Sequence, residues 1–183
     1  AAASNEITSA TRATIAGSVL RPTGALSLTA TSDAVIDAFT FAVAGALAAG
    51  SGSALALAGA GSGSGNFITS TIEATITASN ALLTSGAVTL TATDNAAISA
   101  TAGAAAINIA ASPGSNVGVG LGLSLTFNDI ANTTRAAIEG SDVVTNGPIT
   151  LSATSHATIE ASAIGASLGV SAGSGNAIAA QAV

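Results

Sequence analysis

The chain repeats itself. The segment Asn5-Glu6-Ile7-Thr8-Ser9-Ala10-Thr11-Arg12-Ala13-Thr14-Ile15 recurs as Asn66-Phe67-Ile68-Thr69-Ser70-Thr71-Ile72-Glu73-Ala74-Thr75-Ile76, and more loosely from Asn128 to Ile138. The three copies start at 5, 66 and 128, which are 61 and 62 residues apart. A second block keeps the same spacing: Leu26-Ser27-Leu28-Thr29-Ala30-Thr31-Ser32, then Val88-Thr89-Leu90-Thr91-Ala92-Thr93-Asp94, then Ile149-Thr150-Leu151-Ser152-Ala153-Thr154-Ser155. Two blocks on one period define one repeat array over 1–183, with units 5–65, 66–127 and 128–183, the last incomplete. Such a unit buries its faces against its neighbours instead of alone.

Inside a unit the period is two, the spacing of a strand whose side chains alternate between faces. Ile7, Ser9, Thr11, Ala13 and Ile15 fall on one face and Thr8, Ala10, Arg12 and Thr14 on the other. Leu26, Leu28, Ala30, Ala34 and Ile36 likewise alternate with Ser27, Thr29, Thr31, Asp33 and Asp37. The apolar set is expected inside and the Thr and acid set in water. Beyond Ala38 the larger residues, Phe39, Phe41 and Val43, occupy the opposite parity, and Ile164, Leu168 and Val170 do the same in unit three. A one-residue slip reverses which face a strand buries, so each unit is expected to contain a bulge or corner near 37–39, 99–101 and 160–162. In the last quarter of a unit, Val117, Val119, Leu121, Leu123, Leu125 and Phe127 are separated by Gly118, Gly120, Gly122, Ser124 and Thr126, so small residues on one face let another sheet approach closely. Turn signals such as Arg21-Pro22-Thr23-Gly24, Ser112-Pro113-Gly114-Ser115 and Asn146-Gly147-Pro148 divide each unit into about four strands.

The expected fold is all-β, a β-solenoid-like repeat with a thin core rich in Ala, Thr and Gly. If one unit is one wide coil, Asn5, Asn66 and Asn128 stack as an amide ladder about 4.8 Å apart. Arg12, Glu73 and Arg135 then form one outward row of alternating charge, worth a few tenths of a kcal/mol per exposed contact. If each unit makes three coils of about 20 residues, equivalent groups lie roughly 14 Å apart and neither row forms. The alternative to both is a stack of long antiparallel hairpins, with 88–111 and 117–139 as two arms about the turn at Ser112-Pro113-Gly114-Ser115.

Composition removes most chemistry. The 183 residues include no Cys, one His and no Lys; three Arg against nine acids give a formal net charge of −6. Thiol nucleophiles, disulfides and cysteine metal sites are absent, and nothing is available to neutralise a nucleic-acid backbone. Only 7% of residues are charged, against roughly a quarter in an ordinary domain. His156 has no neighbouring base or second metal ligand and reads as an exposed polar residue. Asp33 and Asp37 share a strand face at about 13 Å, too far apart for a glycosidase pair. Gly61-Ser62-Gly63-Ser64-Gly65 lacks the Lys and helix of a phosphate loop. Asn132-Thr133-Thr134 matches a glycosylation sequon. No enzyme activity, cofactor, metal site or nucleic-acid partner is expected. The uncharged stretches 38–72, 95–128 and 161–183 are long enough to cross a bilayer, but each is broken by turns and alternates with period two, so membrane insertion is not expected. The chain starts Ala-Ala-Ala without Met and reads as a window of a longer protein.

The motifs Asn66-Phe67-Ile68, Ala74-Thr75-Ile76 and Val88-Thr89-Leu90-Thr91-Ala92-Thr93, with their counterparts in units one and three, resemble the tandem β-strand repeats of giant secreted bacterial surface proteins. These include filamentous-haemagglutinin-like and leukotoxin-type filamentous adhesins, and the resemblance covers essentially the whole chain. The resemblance implies an exported, extracellular or cell-surface fibre, adhesin stalk or filament. Its partners would be neighbouring repeats, further copies of the chain and cell-surface contacts. Outward Thr-x-Thr pairs such as Thr29/Thr31 and Thr89/Thr91/Thr93 also resemble the flat Thr arrays of ice-binding solenoids, the second expectation for function.

Overall fold

The computed structural model describes residues 1–80 and 82–183, and among them there are only strands, turns and loops, without a helix. Unit one and the entry to unit two comprise β1 (Ala2–Ala16), β2 (Leu26–Ser32), β3 (Val35–Ala49) and β4 (Ala54–Thr77). Next come β5 (Leu82–Thr84), β6 (Val88–Asp94), β7 (Ala97–Ala111) and β8 (Asn116–Ile130). The chain finishes with β9 (Thr133–Glu139), β10 (Val143–Thr145), β11 (Ile149–Ser155), β12 (Thr158–Ala172) and β13 (Ala177–Ala182).

Every ladder among these strands is parallel, and each joins one unit to the next. β1 pairs with the second part of β4, Asn5 opposite Asn66. β4 pairs with β8 and then β9, Asn66 opposite Asn128 and Ile76 opposite Ile138. β2, β6 and β11 make one sheet and β3, β7 and β12 another, while β13 pairs with β8. The protein is therefore all-β with open parallel sheets. Equivalent residues are neighbours at a sequence separation of one full unit, which excludes three short coils per unit.

Antiparallel hairpin arms do not form either. β7 and β8 flank the turn at Ser112-Pro113-Gly114-Ser115, yet their ladders run to the neighbouring units. They meet through side chains, with Asn108 of β7 lying against Gly118 and Gly120 of β8. The turn exchanges one sheet for the one facing it, and backbone donors point along the stack instead of across it.

The interior changes along the strands. Ile72, Ala74 and Ile76 of β4 pack with Leu28, Leu82, Val88, Leu90 and Ala92, all buried. Ile68 then meets Ile36, Ala38, Ile98 and Ala100. Nearer the turn only small residues remain: Ala58 and Ala60 against Ala104 and Ala106, then Ala54 and Ala56 against Ala110. Gly122 shows how narrow this part is, since a Cβ there would lie 2.4 Å from the Ala166 carbonyl oxygen.

The expected change of phase is absent. β3, β7 and β12 run unbroken through 37–39, 99–101 and 160–162 in continuous register. The buried face of β3 keeps its parity, and Phe39, Phe41, Val43 and Leu47 point outward, Phe39 at 74% exposure and Leu47 at 75%. The physical reason is the seam itself. Sheets this close admit Ala, Gly and Ser between them, so the bulky residues occupy the outside.

One corner recurs with a cost attached. Gly17 (φ 57°), Ala78 (φ 48°) and Gly140 (φ 53°) hold equivalent left-handed positions, and only Ala78 carries a Cβ there. Each is followed by a serine, Ser18, Ser79 or Ser141, whose hydroxyl donates to the carbonyl two residues earlier.

Candidate functional site

The equivalent asparagines form a continuous chain of amide hydrogen bonds. Asn5 Nδ2 donates to Asn66 Oδ1 at 2.8 Å, and Asn66 Nδ2 donates to Asn128 Oδ1 at 2.7 Å, with Asn66 fully buried. Burial strengthens each bond and makes a missing one expensive. The charged row is only half formed. Arg12, Glu73 and Arg135 are aligned by the ladders, and Arg12 Nε donates to Glu73 Oε2 at 2.7 Å. Arg135 turns away to Glu139 on its own strand. The hydrogen bond that Arg135 donates to Glu139, and the negative charge of that carboxylate, raise the Arg135 pKa above its already high ordinary value.

Three polar residues do more than sequence reasoning assigned to them. Asp94 is fully buried opposite Ser32 and Ser155. Its carboxylate accepts from Asn132 Nδ2 at 3.0 Å, Ser155 Oγ at 2.9 Å and the Ala96 N–H at 3.2 Å. Asn132 lies in the gap between β8 and β9, where its Oδ1 accepts the Ser70 N–H at 2.7 Å and replaces a ladder bond. With its amide nitrogen engaged by Asp94, this asparagine is not presented for glycan attachment. Asn116 closes the turn, donating to the carbonyls of Ser112, Gly114 and Ala172 while accepting from Ser112 Oγ. The available signal was position: Asp94 and Asn132 interrupt rows that hold Ser in other units.

His156 is exposed, in the row of Asp33 and Asn95, where Asn95 Nδ2 donates to Asp33 Oδ1. Among the described residues no group of three His, Cys, Asp or Glu is placed to hold a metal. A cleft of about 450 Å³ is lined by Asn5, Glu6, Ile7, Ile36 and Asp37. It is the uncovered end of the interior seam, since the counterparts Ile68 and Ile98 are buried beneath a neighbouring strand.

Two outer surfaces stand out. On the β2/β6/β11 sheet the outward rows are Ser27-Thr89-Thr150, Thr29-Thr91-Ser152 and Thr31-Thr93-Thr154, a flat grid of hydroxyls. Rows repeat at about 6.7 Å along the strand and about 4.8 Å between strands. The second surface is apolar and lies toward the Gly-Ser turns, where the charge-free stretches 38–72, 95–128 and 161–183 come together. Phe39, Phe41, Val43 and Leu47 cover one side with Ile107, Ile109, Ile164, Leu168 and Val170. Leu55, Leu57, Leu121, Leu123, Leu125 and Phe127 cover the other. Outward acids border both apolar fields, Asp37 and Glu160 on one face and Glu6 and Asp129 on the other. Because Ile36 and Ile68 share a cluster, these acids lie at one height.

Comparison with protein-family models, with curated proteins and with solved structures gives no match in any of the three. No helix among the described residues is long and apolar enough to cross a membrane.

Proposed function

We propose that the chain is a structural repeat segment of a secreted bacterial cell-surface fibre or extracellular filament, a β-solenoid of one wide coil per unit that associates through its uncharged outer faces and carries no enzymatic site. The observation that supports this reading is the strand-for-strand parallel register between all three units. Such a stack extends along one axis as further units of the same chain cover its open strand edges. The proportions favour a broad filament or coat over a slender stalk. Each unit uses 61 or 62 residues to advance one strand spacing, about 4.8 Å, while β4, with 24 residues, is roughly 79 Å long.

Electron microscopy of the native material tests this. The reading expects ribbons or filaments with one unit per strand spacing along the axis; compact particles without an axis would overturn it.

The hydroxyl grid favours a second reading, an ice-binding or other surface-binding face. Ice recrystallisation inhibition by the chain, lost when Thr91 at the centre of the grid is replaced by Lys, would support it, and no inhibition by the unsubstituted chain would remove it.

A further inference from the structure

We propose that the chain binds a second copy of itself through its two apolar outer faces, the β4/β8 face of one copy seated on the β3/β7/β12 face of the next, in an open head-to-tail stack. This rests on the structural reading above and supplies its lateral contact.

The two faces have complementary relief. On the β4/β8 face Leu121, Leu123, Leu125 and Phe127 are aligned one for one with Gly59, Gly61, Gly63 and Gly65 of the unit beside them. The row therefore stands as a ridge over a glycine floor, with Leu125 at 69% exposure. On the opposite face the same unit is recessed. Gly103 and Ala105 floor a wholly apolar notch of about 230 Å³, walled by Phe39 and Phe41 of unit one and Ile164 of unit three. The Phe41 ring leans over Gly103 so closely that a Cβ at that glycine would meet it at 2.5 Å.

Ridge and notch lie back to back. Gly122 sits against the Ala104 carbonyl, and Gly118 and Gly120 sit against Asn108, so residues 123–125 and 103–105 share one height across the seam. A copy displaced straight across the sheets, without rotation, brings its ridge over the next notch. That contact is heterologous and does not close, so it propagates. A two-fold arrangement would instead oppose ridge to ridge or notch to notch. Lipid is a poorer occupant, because a bilayer covering these faces would also cover the unpaired N–H and C=O groups of the edge strands, which hydrocarbon cannot satisfy.

The contact of this chain is weak. Each apolar field is about 33 Å by about 14 Å, roughly half the area per partner of a standard stable interface. At its border Asp37 and Glu160 of one copy meet Glu6 and Asp129 of the next, so salt that screens these carboxylates strengthens the stack.

Sedimentation velocity with two variants tests the proposal. Leu123→Glu with Leu125→Glu blocks the ridge, and Phe41→Glu with Ile164→Glu blocks the notch; all four side chains are exposed, and far-UV circular dichroism verifies that each variant folds. The unsubstituted chain is expected to form a series of oligomers that grows with concentration and NaCl. Each variant alone is expected to stay monomeric, and an equimolar mixture to stop at a 1:1 dimer. Dimers of either variant alone, a mixture that stays monomeric, or an unsubstituted chain that remains monomeric and floats with phosphatidylcholine vesicles would each overturn it. An intact axial repeat without lateral stacking would leave the filament reading standing, whereas loss of the axial repeat would remove that reading itself.

Discussion

Asn66 Nδ2 donates to Asn128 Oδ1 at 2.7 Å across 62 residues of sequence, and Asn66 has no exposed surface. Its Oδ1 meanwhile accepts from Asn5. The side chain is the central rung of a buried ladder, and its removal leaves both neighbours short of a partner. Asn66→Ala is expected to lower unfolding free energy by about 2 kcal/mol, read from the urea midpoint.

Asn108 provides the opposite case. It is equally buried, yet neither its Nδ2 nor its Oδ1 has a partner, and its neighbours in the ladder are Ala46 and Gly169. No ladder forms because those rows offer no amide. Asn108→Ala removes an unsatisfied polar group where alanine already fits in unit one, and is expected to stabilise the chain by about 1 kcal/mol, with the urea midpoint rising and the slope unchanged.

The corner at Ala78 carries strain that its glycine counterparts avoid. Ala78→Gly is expected to raise stability by about 1 kcal/mol, and Gly17→Ala or Gly140→Ala to lower it by a similar amount. Thermal unfolding followed by circular dichroism checks the opposed signs.

Asp94 ties unit two to unit three through Asn132 and Ser155, and accepts the Ala96 N–H just beyond its own strand. Asp94→Ala leaves the Asn132 amide nitrogen unpaired and loosens the carbonyl that holds the Ser70 N–H. The expected cost is about 3 kcal/mol. Hydrogen exchange should locate it, with faster exchange at Ser70 and Ala96 and little change at residues 104–111.

The repeat was legible because two separate blocks shared one period, and the same alignment that matched Asn5, Asn66 and Asn128 in sequence matches them in the ladders. Face assignment failed where size and burial part company. For Leu28 and Ile36 the larger residue is the inner one, and alternation sorts them properly. For Phe39 and Phe41 it is the outer one, because Ala38, Thr40 and Ala42 already fill a seam too narrow for rings. A rule that buries the larger residue had to invent a bulge there. The burial of Asp94 was hidden for a related reason: an acid between Thr93 and Asn95 reads as surface, and only the three-dimensional meeting with Asn132 satisfies it. Which acid joins Arg135 was beyond sequence too, since Glu73 and Glu139 both lie within reach of a long side chain.

The central claim is that one unit makes one circuit, so residues a full unit apart are strand neighbours. The chain has no cysteine of its own, which permits clean spin labelling at introduced pairs. Continuous-wave electron paramagnetic resonance of Thr8→Cys with Thr69→Cys, and separately of Ser27→Cys with Thr89→Cys, reads that neighbourhood directly. Both pairs are opposite one another in the ladders and should show strong dipolar broadening at a strand spacing of about 4.8 Å. Spectra no broader than the sum of the single-label spectra would contradict the account.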